Sequence, residues 1–268
     1  MTPSPSSTVG RRPPVDPRIR QRRASVQRSR GRRRLHWIVA ALVVVVLAVG
    51  AVALLHTPWF RVRVVTVTGS HPHTPTAAII AASGLDGHPP LVDVPTGATA
   101  AKVAALPFIA SAQVRRHWPD GVAIAVTERV PTVTMSGPGP VWSVLDSQGR
   151  TLETVPSRPP GLVLLVVHAA TGPVLPAAVG ATLAPTGAAG LAVCRTLPPA
   201  FAAQVLSVTV AGDGTVSLAL NSGITVLLGT GDDLPAKYED VAAIIAHADL
   251  RGATTIDVTV PQSPTVSG

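Results

Sequence analysis

Residues 38–55, IVAALVVVVLAVGAVALL, form an uncharged run of eighteen that sets the terms for everything on either side of it. As a helix, a run of this length rises about 27 Å, close to the roughly 30 Å hydrocarbon core of a bilayer. Such a helix satisfies its backbone polar groups internally, as lipid requires. Eleven arginines precede the run, and the next one is Arg61. Cationic flanks stay on the cytoplasmic side, so the chain is expected to cross from inside to outside and to place residues 57–268 beyond the membrane. Trp37 and Trp59 bracket the run where interfacial aromatic belts sit. A cleaved signal is the rival reading, because Ala51 and Ala53 make a small-residue pair of the cleavage type. The run exceeds the roughly 7–15 residues of a signal's apolar region and continues through Leu54 and Leu55, which favours an anchor. Arg32, Arg33 and Arg34 give only a weak twin-arginine signal in a leader full of arginine.

The formal charge of +8 belongs to the leader. Residues 1–34 carry eleven Arg against one Asp, +10, which leaves −2 for the rest. Rich in Pro, Ser and Arg, this segment has little to bury and is expected to be disordered. Its charge suits a topology signal in contact with the inner leaflet; nucleic acid is disfavoured, because no aromatics interleave with the arginines. The single cysteine, Cys194, excludes an intrachain disulfide, so an exported domain must rely on its apolar core. Its setting, GLAVCRTL, is that of a small buried hydrophobe rather than a nucleophile.

Beyond the run, residues 60–67 alternate as a strand ended by Gly69. Thr74 is placed to cap a helix with Pro75 in its first turn and Gly84 just past its end. A second helix fits residues 96–106. Two strands follow, 108–118 and 122–129, joined by a Pro119-Asp120-Gly121 turn. The order β-α-α-β-β is that of a small α+β unit with its helices on one sheet face. Farther on, VWSVLDSQGRTL, residues 141–152, reads as strand, turn, strand with the first strand at Trp142 to Asp146, and residues 162–167 as a short buried strand. Residues 187–197 fit a helix. Residues 205–210 and 215–220 pair across Ala211-Gly212-Asp213-Gly214, and residues 224–228 follow as a strand. Residues 234–248 carry an apolar stripe of Leu234, Tyr238, Val241 and Ile245, and residues 255–260 alternate as a last strand. The fold class is therefore α+β throughout.

The strings Arg116-His117-Trp118-Pro119-Asp120 and Val126-Thr127-Glu128-Arg129-Val130-Pro131 resemble the R-x-W-P turn and E-R-x-P strand end of the bacterial cell-division family FtsQ/DivIB. The D-x-x-G hairpin at Asp146 and the stretch from Leu228-Gly229 through Lys237 to Ile256-Asp257-Val258 are similar to the same family. The resemblance implies a cytoplasmic tail (1–34), one span (35–56), a POTRA domain (57–131), an FtsQ-type mixed-sheet β domain with helices (132–260) and a tail (261–268). It marks Arg116, Trp118, Pro119, Glu128, Arg129 and Pro131 as motif positions. It implies a non-enzymatic scaffold of the divisome that recruits FtsB- and FtsL-like partners to control septal peptidoglycan synthesis, working at the cell membrane without a cofactor or small-molecule substrate. In the family the partner docks at the end of the β domain. By position the candidates are Ile256, Asp257, Val258, Thr259 and Val260, then Gln262, Ser263 and Val266. This chain has Thr259-Val260 and a proline where many members have Arg-Tyr.

A strand so placed is expected at a sheet edge with unpaired backbone groups, and Pro261 and Pro264 make the following tail a poor pairing partner. A proline at Val258 would then abolish binding. The competing readings are a membrane-anchored envelope enzyme and a POTRA-type assembly chaperone. No nucleophile elbow, zinc-protease helix or phosphate loop is present. His71 and His73 lack a third nearby ligand, Asp232 or Asp233 suits a helix cap beside Glu239 and Asp240, and Glu128 and Arg129 suit an ion pair or a partner contact.

Overall fold

The computed structural model describes residues 17–248, 250–261 and 263–268. Helix α1, Pro17–Leu55, contains the apolar run. Its segment Arg34–Leu55 is, among the described residues, the one helix long and apolar enough to cross a membrane by length and composition. Leu42, Val46, Leu47 and Val49 are exposed along it, which fits a lipid-facing surface. Helix extends back to Pro17, into the leader expected to be disordered through residue 34. Arg, Gln and Ala are good helix formers, and adding residues to an existing helix costs far less than starting one. Residues 1–16 of that leader lie outside the described residues.

Val62–Gly268 forms a second compact unit with two hydrophobic cores. The first core lies under a three-stranded sheet. Strand β1 is Val64–Thr68, helix α2 Thr76–Ser83, helix α3 Thr96–Ala104, strand β2 Ile109–His117 and strand β3 Gly121–Glu128. β3 is central, parallel to β1 and antiparallel to β2. Its inward row Val122, Ile124 and Val126 packs with Ile79 of α2 and Val103 of α3, as the alternation predicts. Gly84 adopts the left-handed conformation that ends α2, φ 71°, and the Trp118–Pro119 peptide is cis. Three details differ from expectation. β1 starts at Val64, because Pro58–Phe60 forms a turn of 3₁₀ helix instead. Pro75 stands at the cap position of α2 without a side-chain bond, and Thr74 Oγ donates instead to Glu128. α3 ends at Ala104, short of Leu106.

The second core lies under a large mixed sheet. Its strands are β4 Pro131–Ser136, β5 Trp142–Asp146, β6 Thr151–Val155, β7 Val163–Ala169, β8 Gly172–Pro173, β9 Val205–Val210, β10 Val216–Leu220, β11 Thr225–Gly229, β12 Thr255–Asp257 and β13 Thr265–Ser267. They run in the order β13-β12-β11-β10-β9-β7-β4-β5-β6, with β8 paired to β7. β7 sits in the middle, parallel to both β4 and β9. That position explains why its sequence is continuously apolar rather than alternating. Helices α4 Ala188–Thr196, α5 Pro199–Ala202 and α6 Leu234–His247 accompany the sheet. α6 buries Leu234, Tyr238 and Val241 as the stripe predicts, together with Lys237. Lys237 is 2% exposed, and its ammonium donates to the carbonyls of Leu228 (2.8 Å) and Thr230 (2.9 Å). The buried charge is thus solvated by the turn between β11 and α6. Asp233 stands at the cap position of α6 with φ 50° but makes no side-chain cap bond.

β4 was not foreseen; its first residue is the motif proline Pro131, tolerated at a strand start where no ladder donor is required.

Candidate partner-binding site

Several of the motif residues tie together elements of the second compact unit. Glu128 ends β3 with its side chain 7% exposed. It accepts hydrogen bonds from Thr74 Oγ (2.8 Å), His73 Nδ1 (3.1 Å) and the His73 backbone N–H (3.3 Å). His73 stacks on Phe108 at 4.9 Å between ring centroids. Burial opposes the charged form of Glu128, but the bonds from Thr74 and His73 outweigh it and hold its pKa below the ordinary carboxylate value. A carboxylate depressed in this way adds stability above its unfolded pKa and loses that contribution as pH falls through the folded value. His71 Nδ1 donates to the Thr74 carbonyl at 2.9 Å. Both histidines of the H-P-H string therefore serve the loop before α2.

Arg129, the next residue, faces the large sheet. Its Nη1 meets Asp146 Oδ2 at 2.6 Å, and its Nε donates to Ile109 O at 3.3 Å. The other oxygen of Asp146 accepts the backbone N–H groups of Gln148 and Arg150, each at 2.8 Å. Asp146 thereby closes the D-x-x-G turn and anchors the end of β3 to the start of the second module. Gly149 is required in that turn: its φ is 77°, and a Cβ there would collide with Leu191 Cδ1. Arg150 adds a bond from Nη2 to Ala105 O at 3.3 Å. Arg116 reaches the Val94 carbonyl at 2.6 Å, and Trp118 is exposed beside Pro119. Glu128 is hydrogen-bonded to His73 and Thr74, and Arg129 is ion-paired to Asp146, so the two do not pair with each other.

The partner-binding candidates fall into two groups. Ile256 and Val258 are fully buried in the second core, and the Val258 N–H donates to Leu227 O at 3.0 Å. Their side chains support β12 from below, and a proline at 258 would damage the core rather than probe an edge. Thr259, Val260, Ser263 and Val266 are exposed; Asp257 is half-buried, its carboxylate accepting the Thr259 N–H at 2.9 Å. Gln262 lies outside the described residues.

β12 is shorter than the strand expected over residues 255–260, and it is not the edge. On one side it pairs in parallel with β11, and on the other antiparallel with β13 in the register Thr255↔Ser267, Ile256↔Val266, Asp257↔Thr265. The segment expected to pair poorly therefore pairs. Its prolines lie in the return between strands, and the three residues after Pro264 all have N–H groups and strand-compatible side chains.

Cys194 on α4 packs against the second core, where burial pushes its thiol up to about 12 and leaves almost no thiolate at neutral pH.

Among the described residues, one helix long and apolar enough to cross a membrane stands ahead of a three-stranded β-α-α-β-β module and a large mixed sheet, an architecture that fits a single-pass membrane protein with a POTRA-type module. The family model for the POTRA domain, FtsQ-type, matches residues 60–129, and that for Cell division protein FtsQ/DivIB, C-terminal, matches residues 139–259. The chain is 34% identical over 246 residues to Cell division protein FtsQ of Streptomyces collinus, covering 89% of this chain and 90% of that one. It is 32% identical over 243 residues to the protein of the same name in Streptomyces bingchenggensis, covering 90% and 89%. With the one in Mycolicibacterium smegmatis it shares 33% over 239 residues, 88% of this chain and 66% of that one. The chain belongs to the FtsQ/DivIB family of bacterial cell-division proteins, and its role lies in protein–protein contacts of the division machinery.

Proposed function

We propose that this protein is a non-enzymatic scaffold of the divisome. α1 crosses the membrane once with its arginine-rich end in the cytoplasm, and the two modules work outside, at the division septum. The POTRA-type module, next to the membrane, contacts other division proteins. The large sheet recruits FtsB- and FtsL-like partners through its β12 end, and so links early division proteins to control of septal peptidoglycan synthesis. The leader acts in topology and in contact with anionic lipid.

The observation that carries this reading is the construction of the sheet end. β12 has a fully buried underside in Ile256, continued just past its end by Val258, while its outer side is covered by the three exposed residues of β13 and flanked by exposed Val260. Backbone groups at such an end can accept a strand from another chain, giving register, and neighbouring side chains give selectivity. The exposed apolar Val260 supplies a side chain beside the strand end.

The test is binding of the full chain, in lipid nanodiscs, to the extracytoplasmic segments of FtsB- and FtsL-like proteins from the same cell. Val260→Lys places a charge in the proposed contact without touching either core. It should weaken binding about tenfold, the effect of one well-placed interface side chain of about 1.4 kcal/mol, with an unchanged melting temperature. Binding by the variant equal to that of the parent contradicts the placement of the site, and absence of binding by the parent contradicts the partner class.

A further inference from the structure

The place a partner strand would take on β12 is already occupied by this chain. β13 pairs there over three residues, and the Thr254 N–H donates to Ser267 O at 2.9 Å just beyond the ladder. Gly268 lies against Gly252 so closely that a Cβ on it would collide with the Gly252 carbonyl. Every residue of β13 is nevertheless exposed, and Val266 is not part of the second core. Ile256 and Val258 are buried by the core elements beneath them. Removing β13 would therefore uncover the backbone row of β12 and leave the apolar core closed.

We propose, resting on the strand-addition reading above, that segment 265–268 is a built-in cap on β12 that an incoming partner strand must displace. One row of N–H and C=O groups cannot serve two strands, so cap and partner exclude each other. The cap is held by few bonds, but it is tethered through residues 258–264, which gives it a high effective concentration. Pro261 and Pro264 lie in that tether, and the Ser263 N–H bonds to Val260 O at 3.3 Å, which shapes the return. A partner that covers more than three residues and also engages Val260 makes bonds the cap cannot make. Displacement thus favours a partner with an extended segment followed or preceded by further contacts, and it rejects short stray strands. The device protects a sheet edge that would otherwise invite aggregation.

The capped state lowers apparent affinity by the fraction of molecules uncapped. If roughly nine molecules in ten are capped, removing the cap raises affinity about tenfold. Three chains in nanodiscs test this against the same FtsB-like extracytoplasmic segment: the full-length parent, a chain stopped after Pro264, and the full-length double variant Thr255→Cys, Ser267→Cys. These two positions stand opposite each other in the register, within reach of a disulfide once oxidised. Cys194 is half-buried against the second core with a thiol pushed up to about 12, so it competes little for oxidation. The proposal expects about tenfold tighter binding by the stopped chain, strongly reduced binding by the oxidised double variant, and recovery on reduction. Unchanged or weaker binding by the stopped chain overturns it while leaving strand addition intact, because the partner would then add outside β13 or elsewhere. Binding by none of the three, with unchanged melting temperatures, overturns the partner reading itself and the cap's competitive role with it.

Discussion

Replacing Asp146 with alanine should lower the unfolding free energy of the unit Val62–Gly268 by about 3 kcal/mol, measured by denaturant unfolding of the full chain in detergent. Two losses add. The two turn N–H groups of Gln148 and Arg150 lose their acceptor, and the guanidinium of Arg129 is left largely buried without its counter-charge. Asp146→Asn should fall between, since an amide oxygen still accepts one turn bond but cannot balance the charge. Arg129→Ala in the Asp146→Ala background should cost less than it does alone, because the two share one interaction. A loss below about 1 kcal/mol for Asp146→Ala would mean that the junction is held mainly by packing.

Gly190→Val is expected to have an effect of similar size through a different cause. Gly190 lies on α4, buried against β7 and β9. A Cβ there would stand 2.6 Å from both Leu165 Cδ1 and Val210 Cγ2. Both neighbours are fully buried and cannot swing into solvent. The helix must lift from the sheet, at a cost of about 3 kcal/mol. Gly190→Ala should cost less than valine, and still more than an alanine usually does in a helix, where replacing glycine commonly stabilises. Wild-type stability for Gly190→Val would contradict the close seating of α4.

Elements governed by short-range pattern were legible in the sequence. The apolar run at 38–55, the Ala211–Gly214 hairpin, the stripe of α6 and the continuous apolar strand at β7 each follow from periodicity or turn chemistry within one window. What was not legible depends on partners far along the chain. Glu128 finds its donors at His73 and Thr74, 55 and 54 positions earlier. Arg129 finds Asp146 in the next module. Lys237 sits on the same helical face as Leu234 and Val241, so its burial was available from spacing, but its charge argued for solvent until the turn carbonyls of Leu228 and Thr230 were in view. β4 escaped notice because it begins with a proline, and its alternation of Val133 and Met135 against Thr132, Thr134 and Ser136 is short. The sheet order hid the most consequential point: alternation over 255–260 showed a strand, but whether that strand is an edge depends on whether another segment returns to it. Pro261 and Pro264 argued against a return, yet proline forbids pairing only at its own position.

The most direct test of the proposed role is photo-crosslinking in dividing cells, with a photoreactive residue replacing Val260 at the end of the sheet and, in a separate strain, exposed Leu206 on β9 in the sheet interior. The account predicts adducts with an FtsB-like protein from position 260 and none from position 206. Adducts with that protein from position 206 alone, or none from position 260 in a chain that still supports division, would contradict it.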